Sequence, residues 1–172
     1  VMYGVVGFKT HGKMILVVRR EEGALRRYCH IGTGNYHAKT ARSYTDYGLF
    51  TADPAIAQDL HELFVQLTSL TRTPKLRKLL QSPFRLHDTL LRAIAKEARE
   101  ARSGRPARII AKMNALIEPR IIEALYEASC DGVQIDLIVR GICALRPGVP
   151  GVSEKIQVRS ILGRFLEHSR IY

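Results

Sequence analysis

The chain of 172 residues sets 27 Lys+Arg against 16 Asp+Glu, a formal charge of +11, and is 46% hydrophobic. That apolar content supports a packed core and excludes a disordered basic tail or a collagen-like rod, and no apolar run approaches the ~20 residues a membrane-spanning helix needs. The length permits one domain or two small ones, while the charge calls for a polyanionic partner without choosing among nucleic acid, anionic lipid, nucleotide and phosphate polymer.

Val1–Phe8 and Lys13–Val18 are rich in Val, Ile and aromatic residues and are expected as strands. Arg19–Gly23 is expected as a polar turn into a partner strand over Ala24–Ile31. Gly32-Thr33-Gly34-Asn35 is a second turn, because two close glycines disfavour helix and strand interiors alike. From Pro54 to Leu70, the residues Ile56, Leu60, Leu63, Phe64, Leu67 and Leu70 recur at helical spacing, with Asp53 as the cap and proline in the first turn. Thr71-Arg72-Thr73-Pro74 breaks this helix.

Leu86–Arg102 is a second helix, with Leu90, Leu91, Ile94, Ala95, Ala98 and Ala101 on one side and Arg92, Lys96, Arg99 and Arg102 on the other. Ser103-Gly104-Arg105-Pro106 ends it. A strand over Ala107–Met113, a helix over Pro119–Ser129, a nearly continuous apolar strand over Val133–Val139 and a last strand over Ile156–Ser160 follow. Strand, helix, strand in that order marks an α/β layer with parallel pairing. A boundary near residues 71 to 80 divides the chain into two α/β pieces, 1–72 and 73–172.

Charge is uneven: Arg72 to Arg108 holds 11 Lys/Arg and three acids, Asp88, Glu97 and Glu100. The stretch is either a solvated helix face or a guide rail for a polyanion. Cys29, Cys130 and Cys143 are odd in number and lack CxxC pairing, so reduced thiols and a cytoplasmic location are expected rather than a disulfide framework or a zinc site. The N-terminus has no basic region leading into an apolar one, as a secretory signal would. Because Val1 already lies in a strand-like run and Tyr172 closes just after a motif, the chain is expected to be a piece of a longer protein.

The strongest local chemical signal is His11-Gly12-Lys13. In an extended chain residues i and i+2 face the same way, so His11 and Lys13 can reach one small anion. Imidazole is a competent nucleophile toward phosphorus, and an ammonium beside it neutralises charge growing on the phosphoryl oxygens. Gly32-Thr33-Gly34-Asn35 follows after a hairpin, and successive N–H groups in such a turn make an anion-binding concavity. HxK followed by G-[ST]-x-N is the half-site pattern of the phospholipase D superfamily, in which two halves form one phosphohistidine site. A second histidine is then expected late in the chain, and Glu167-His168-Ser169-Arg170 supplies His168 and Arg170, two apart, with arginine in the lysine position.

Longer runs carry a more specific likeness. His30-Ile31-Gly32-Thr33-Gly34-Asn35-Tyr36, Lys39-Thr40-Ala41-Arg42-Ser43-Tyr44-Thr45-Asp46-Tyr47-Gly48-Leu49, Leu137-Ile138-Val139-Arg140-Gly141-Ile142-Cys143 and Leu166-Glu167-His168-Ser169-Arg170-Ile171-Tyr172 resemble bacterial polyphosphate kinase of the first type, in order and over essentially all 172 residues. The resemblance implies an α/β fold of two phospholipase D-like pieces with mixed sheets flanked by helices, the end of one catalytic domain and most of the next. It implies reversible transfer of the γ-phosphoryl group of ATP to the end of inorganic polyphosphate through a phosphohistidine. His11 matches the phosphorylated histidine and His168 the second essential one, an acid/base partner. Tyr44 and Arg140 match ATP-binding positions, with Lys13, Thr33, Asn35 and Arg170 as supporting phosphate contacts.

The same resemblance implies Mg2+ held by groups upstream of Val1, with no metal ligand in this chain, so that the chain alone is expected to be inactive. ATP, ADP and polyphosphate are the expected partners, with no nucleic acid. A homo-oligomer is expected at full length, in the cytoplasm, with room for peripheral membrane association. One departure is His37, where many relatives have Asn. The rival of another class is a phospholipase D-like phosphodiesterase acting on lipid or nucleic acid, which would use the same histidines without ATP. A non-catalytic nucleic-acid module explains the charge but not the paired histidine motifs, and aromatics at 7% with no Trp leave few stacking platforms.

Overall fold

The structure, a computed structural model, describes residues 1, 4, 7, 9–69 and 74–172. The strand expected over Val1–Phe8, the helix residue Leu70 and the Thr71–Thr73 part of the break lie outside the described residues. Two compact units emerge: Val1–Ala41 with Asp46–Phe84, and Arg42–Thr45 with Arg85–Tyr172. Each combines sheet and helix, the α/β class expected from the sequence. Among the described residues no helix is long and apolar enough to cross a membrane.

The first unit is an antiparallel sheet in the order β1 (Lys13–Glu21), β2 (Ala24–Gly32), β4 (Gly48–Thr51), with helix α2 (Pro54–Ser69) against one face and a four-residue helix α1 (Ala38–Ala41) between β2 and β4. β1 runs three residues past its expected end, because the turn is only Glu22 and Gly23, at φ 49° and 80°. Two successive positive φ values match the right-handed twist of a hairpin, so the strands pair up to the turn. The polar extension is held across the strands by Tyr28 Oη donating to Glu21 at 2.8 Å and by Arg26 at 3.6 Å from the same carboxylate. Alternation puts Met14, Leu16, Cys29 and Ile31 on the face that meets Ala57, Leu60, Leu63 and Phe64 of α2. Asp53 caps α2 as expected, its Oδ1 accepting from Ala55 N at 3.0 Å and Ile56 N at 2.8 Å.

Asp59 stands i+3 from Ile56 and i−4 from Leu63 and is only 2% exposed. Its carboxylate accepts the backbone N–H groups of Arg77 at 2.9 Å, Lys78 at 2.6 Å and Leu79 at 2.9 Å. Burial by itself pushes this carboxyl up; the N–H bonds from Arg77, Leu79 and Lys78, with the charge of Arg77, outweigh it and hold the group below the ordinary aspartate value. The loop that carries Lys75, Arg77 and Lys78 is thereby tied to α2.

In the second unit β5 (Arg108–Met113), β6 (Gln134–Val139) and β7 (Ile156–Arg159) form a parallel sheet in that order. Ala111, Ile135, Leu137, Val139 and Ile156 pack with Ile94 and Ala98 of α3 (Leu86–Arg102) and Leu125 and Ala128 of α4 (Pro119–Cys130). α3 has the expected bounds, with Ala95 on its exposed rather than its buried side. Glu118 caps α4 by accepting Ile121 N at 2.7 Å, with Pro119 at the first helical position. Two elements escape helical or strand periodicity because each is two residues long: β3 (Tyr44–Thr45) and β8 (Leu166–Glu167), which pair in parallel. Ser43 O accepts Leu166 N at 2.8 Å, and this pairing places Arg42–Thr45 in the second unit.

Candidate functional site

His11 precedes β1 and is exposed; Lys13 opens the strand and is half-buried. The two side chains meet, His11 Nε2 lying 2.9 Å from Lys13 Nζ. An ammonium has donors only, so Nε2 is the acceptor and a neutral His11 ring carries its proton on Nδ1. Lys13 pairs with Gly32 across the hairpin, which sets the histidine motif beside the glycine turn.

That turn is braced by a side chain of its own. Thr33 Oγ1 donates to Asp46 Oδ1 at 2.9 Å and accepts Tyr47 N at 2.9 Å, so this hydroxyl orders the turn. Asp46 lies so close over Gly34 that a Cβ there would collide with its carboxylate. Only glycine fits. Asn35 is exposed at the turn. His30 Nδ1 lies 2.6 Å from Tyr36 Oη, and its ring packs 4.4 Å from Phe50, filling the space that a side chain at residue 48 would need. His37 caps α1: its Nδ1 accepts Thr40 N at 3.2 Å, the service an Asn side chain gives at a helix start.

In the second unit the parallel register sets Met113 beside Val139, so the next residues, Asn114 and Arg140, emerge together at the carboxyl ends of β5 and β6. Open α/β sheets place ligands at that edge. Arg140 Nη2 bonds Asn114 Oδ1, while its Nη1 is buried without a protein partner among the described residues. Arg140 lines a cavity of about 350 Å³ with Tyr44 and the 161–167 segment. Tyr44 also meets His168 edge-on, ring centroids 5.8 Å apart at 89°. Three of the sequence candidates, Tyr44, Arg140 and His168, therefore gather around one end of this unit.

Arg170 folds back, its Nη1 donating to His168 O at 2.8 Å. Lys112, which sequence reasoning passed over, donates from Nζ to Glu167 Oε2 at 2.8 Å and to Ser169 Oγ at 2.6 Å. The bond from Lys112, with one from Thr45, holds the Glu167 carboxyl below its ordinary value. Asn114 was likewise missed; a polar residue directly after an apolar strand of a parallel layer is the signal that points to it.

Of the basic stretch, Arg102, Arg105 and Arg108 spend their charge on Asp131, Glu100 and Asp136. Arg92, Lys96 and Arg99 lie exposed on α3 with no acidic partner within ion-pair distance among the described residues. Also among the described residues, no group of three or more His, Cys, Asp or Glu side chains converges as a metal site.

Two family models match the chain: "Polyphosphate kinase C-terminal domain 1" over residues 1–73 and "Polyphosphate kinase C-terminal domain 2" over residues 79–172. The polyphosphate kinase of Pseudomonas aeruginosa is 62% identical over 172 residues, 100% of this chain and 25% of that protein. That of Xylella fastidiosa is 64% identical over the same share of each. The chain thus spans about a quarter of the length of these relatives. Among solved structures, a polyphosphate kinase from Porphyromonas gingivalis superposes with a TM-score of 0.84 at 34% identity, covering 97% of this chain and 28% of that one.

Proposed function

The chain belongs to the polyphosphate kinase family, and from that premise we propose that it forms part of an enzyme that moves the γ-phosphoryl group of ATP onto the end of inorganic polyphosphate, reversibly, through phosphorylated His11. The observation that carries this proposal is the 2.9 Å pairing of His11 Nε2 with Lys13 Nζ beside the braced glycine turn. The lone pair on Nε2 attacks the γ-phosphorus, the bond to the bridging oxygen breaks, and ADP leaves with that electron pair. The Lys13 ammonium, released from Nε2 as the N–P bond forms, donates to a phosphoryl oxygen and offsets its charge. The terminal oxygen of the polymer then attacks phosphorus, the N–P bond breaks, and His11 returns to its neutral form.

Arg140 suits the role of a nucleotide-phosphate clamp: its buried Nη1 lacks a protein partner among the described residues, and Asn114 fixes its other arm. Tyr44 and His168, in edge contact, are assigned to the nucleotide and to acid/base or charge-stabilising duty. Thr33 orders the glycine turn, leaving Lys13, Asn35 and the turn's backbone as the phosphate contacts. Magnesium, expected from the family, finds no ligand cluster among the described residues, and these steps use only this chain's side chains.

Incubating the full-length protein with γ-³²P-ATP tests the proposal. An acid-labile, base-stable label is expected on the wild type, and His11→Ala is expected to lose label and turnover together. Full labelling of that variant would overturn the assignment, and cleavage of phosphodiesters without ATP would point to the phosphodiesterase activity instead.

A further inference from the structure

β8 is two residues long, and beyond it the 168–172 segment is joined to β5 by a single bridge, Lys112 to Ile171. Register is weakly specified in so short an element, and a slip of one residue turns every side chain to the opposite face. For His168 such a slip would take its ring away from Tyr44.

One residue guards against it. Lys112 is 11% exposed in its side chain, and its Nζ holds both Glu167, at 2.8 Å, and Ser169, at 2.6 Å. These are the i−1 and i+1 neighbours of His168, and in an extended chain both face opposite to it. Pinning both to one ammonium aims His168 the other way, toward the Tyr44 edge contact at 5.8 Å. The main chain of Lys112 fixes the same register, its N–H reaching Ile171 O at 2.7 Å and its carbonyl accepting Ile171 N at 2.9 Å. Thr45, paired with Glu167 across β3 and β8, adds a further bond to that carboxylate.

We infer that Lys112 is a positioning residue of the phosphoryl-transfer site: through Glu167 and Ser169 it selects the face on which His168 is presented, without touching the reacting atoms. The inference rests on the proposed participation of His168 in transfer. Misplacing a reacting group by about 1 Å commonly costs about 10²-fold, and Lys112→Met in the full-length protein is accordingly expected to lower kcat about 100-fold while KM for ATP changes less than about threefold. Lys112→Arg, which keeps the charge and the donors, is expected to recover most of the rate. Ser169→Ala, which removes one tether, is expected to cost about three- to tenfold.

A double-mutant cycle with His168→Ala separates positioning from a general structural role. In the His168→Ala background, Lys112→Met is expected to cost less than about twofold more, and the ¹³Cε1 resonance of His168 is expected to shift or split in the Lys112→Met protein. A full additive loss in the cycle, or wild-type kcat with an unmoved resonance, overturns the inference. Should Lys112→Met fail to fold by circular dichroism, Ser169→Ala carries the same cycle with the same outcomes. If His168→Ala retains wild-type turnover, the role assigned to His168 fails on its own, and the resonance still decides whether Lys112 orients the ring.

Discussion

Asp59→Ala is the sharpest test of how the basic loop after α2 is held. The wild-type carboxylate, 2% exposed, satisfies three consecutive backbone donors, those of Arg77, Lys78 and Leu79, at 2.6 to 2.9 Å. Hydrogen bonds to a charged group are worth about 1.5–3 kcal/mol each. Arg77 and Lys78 have exposed side chains, so water reaches part of this loop once the carboxylate is gone; a net local loss of about 3 kcal/mol remains after that discount. Since every ~1.4 kcal/mol is tenfold in an opening equilibrium, amide exchange at Lys78 and Leu79 should accelerate about 100-fold. Asp59→Asn, which keeps one acceptor, should accelerate it roughly tenfold.

The pH dependence has a definite sign. The native carboxyl is held below its ordinary value, so the unfolded chain takes up its proton first as the solution is acidified. The stabilisation is therefore complete above about pH 5 and drains away as pH falls through about 3.9 toward the lowered native value. The wild-type advantage over Asp59→Asn should shrink over that window. Hydrogen–deuterium exchange followed by mass spectrometry on a peptide spanning residues 75–80, at pH 7 and toward pH 3, measures both effects. Unchanged exchange in Asp59→Ala at pH 7 would refute the account, as would a gap between wild type and Asp59→Asn that grows on acidification.

Reversing Arg92, Lys96 and Arg99 to Glu on the exposed face of α3 should weaken binding of long polyphosphate and flatten its salt dependence, by counterion release; unaltered affinity across a salt series would make the face a solvated surface. Gly34→Ala should disturb the braced turn, because its Cβ would collide with the Asp46 side chain. A phosphoenzyme yield at the wild-type level in that variant would show that the turn does not shape the His11 site.

What the chain order made legible was local. The i, i+2 spacing of His11 and Lys13 survives as a direct contact at the head of β1, in a hairpin whose two-residue turn leaves one register. The caps and 3.6-residue periodicity placed α2, α3 and α4 to within a residue or so, since a helix satisfies its own backbone and advertises the face it must bury. Asp59 shows where such reasoning stops: within α2 it is a polar residue on a buried face, and the loop that satisfies it lies 18 to 20 residues on. Lys112 stands 55 and 57 residues from its two partners, in a strand of otherwise ordinary pattern. Tyr44 belongs with His168 only because two-residue strands pair in parallel across most of the chain. Short strands carry no periodicity, and their hydrogen bonds are made with distant backbone, so tertiary structure alone decided which face His168 presents and which lysine holds it there.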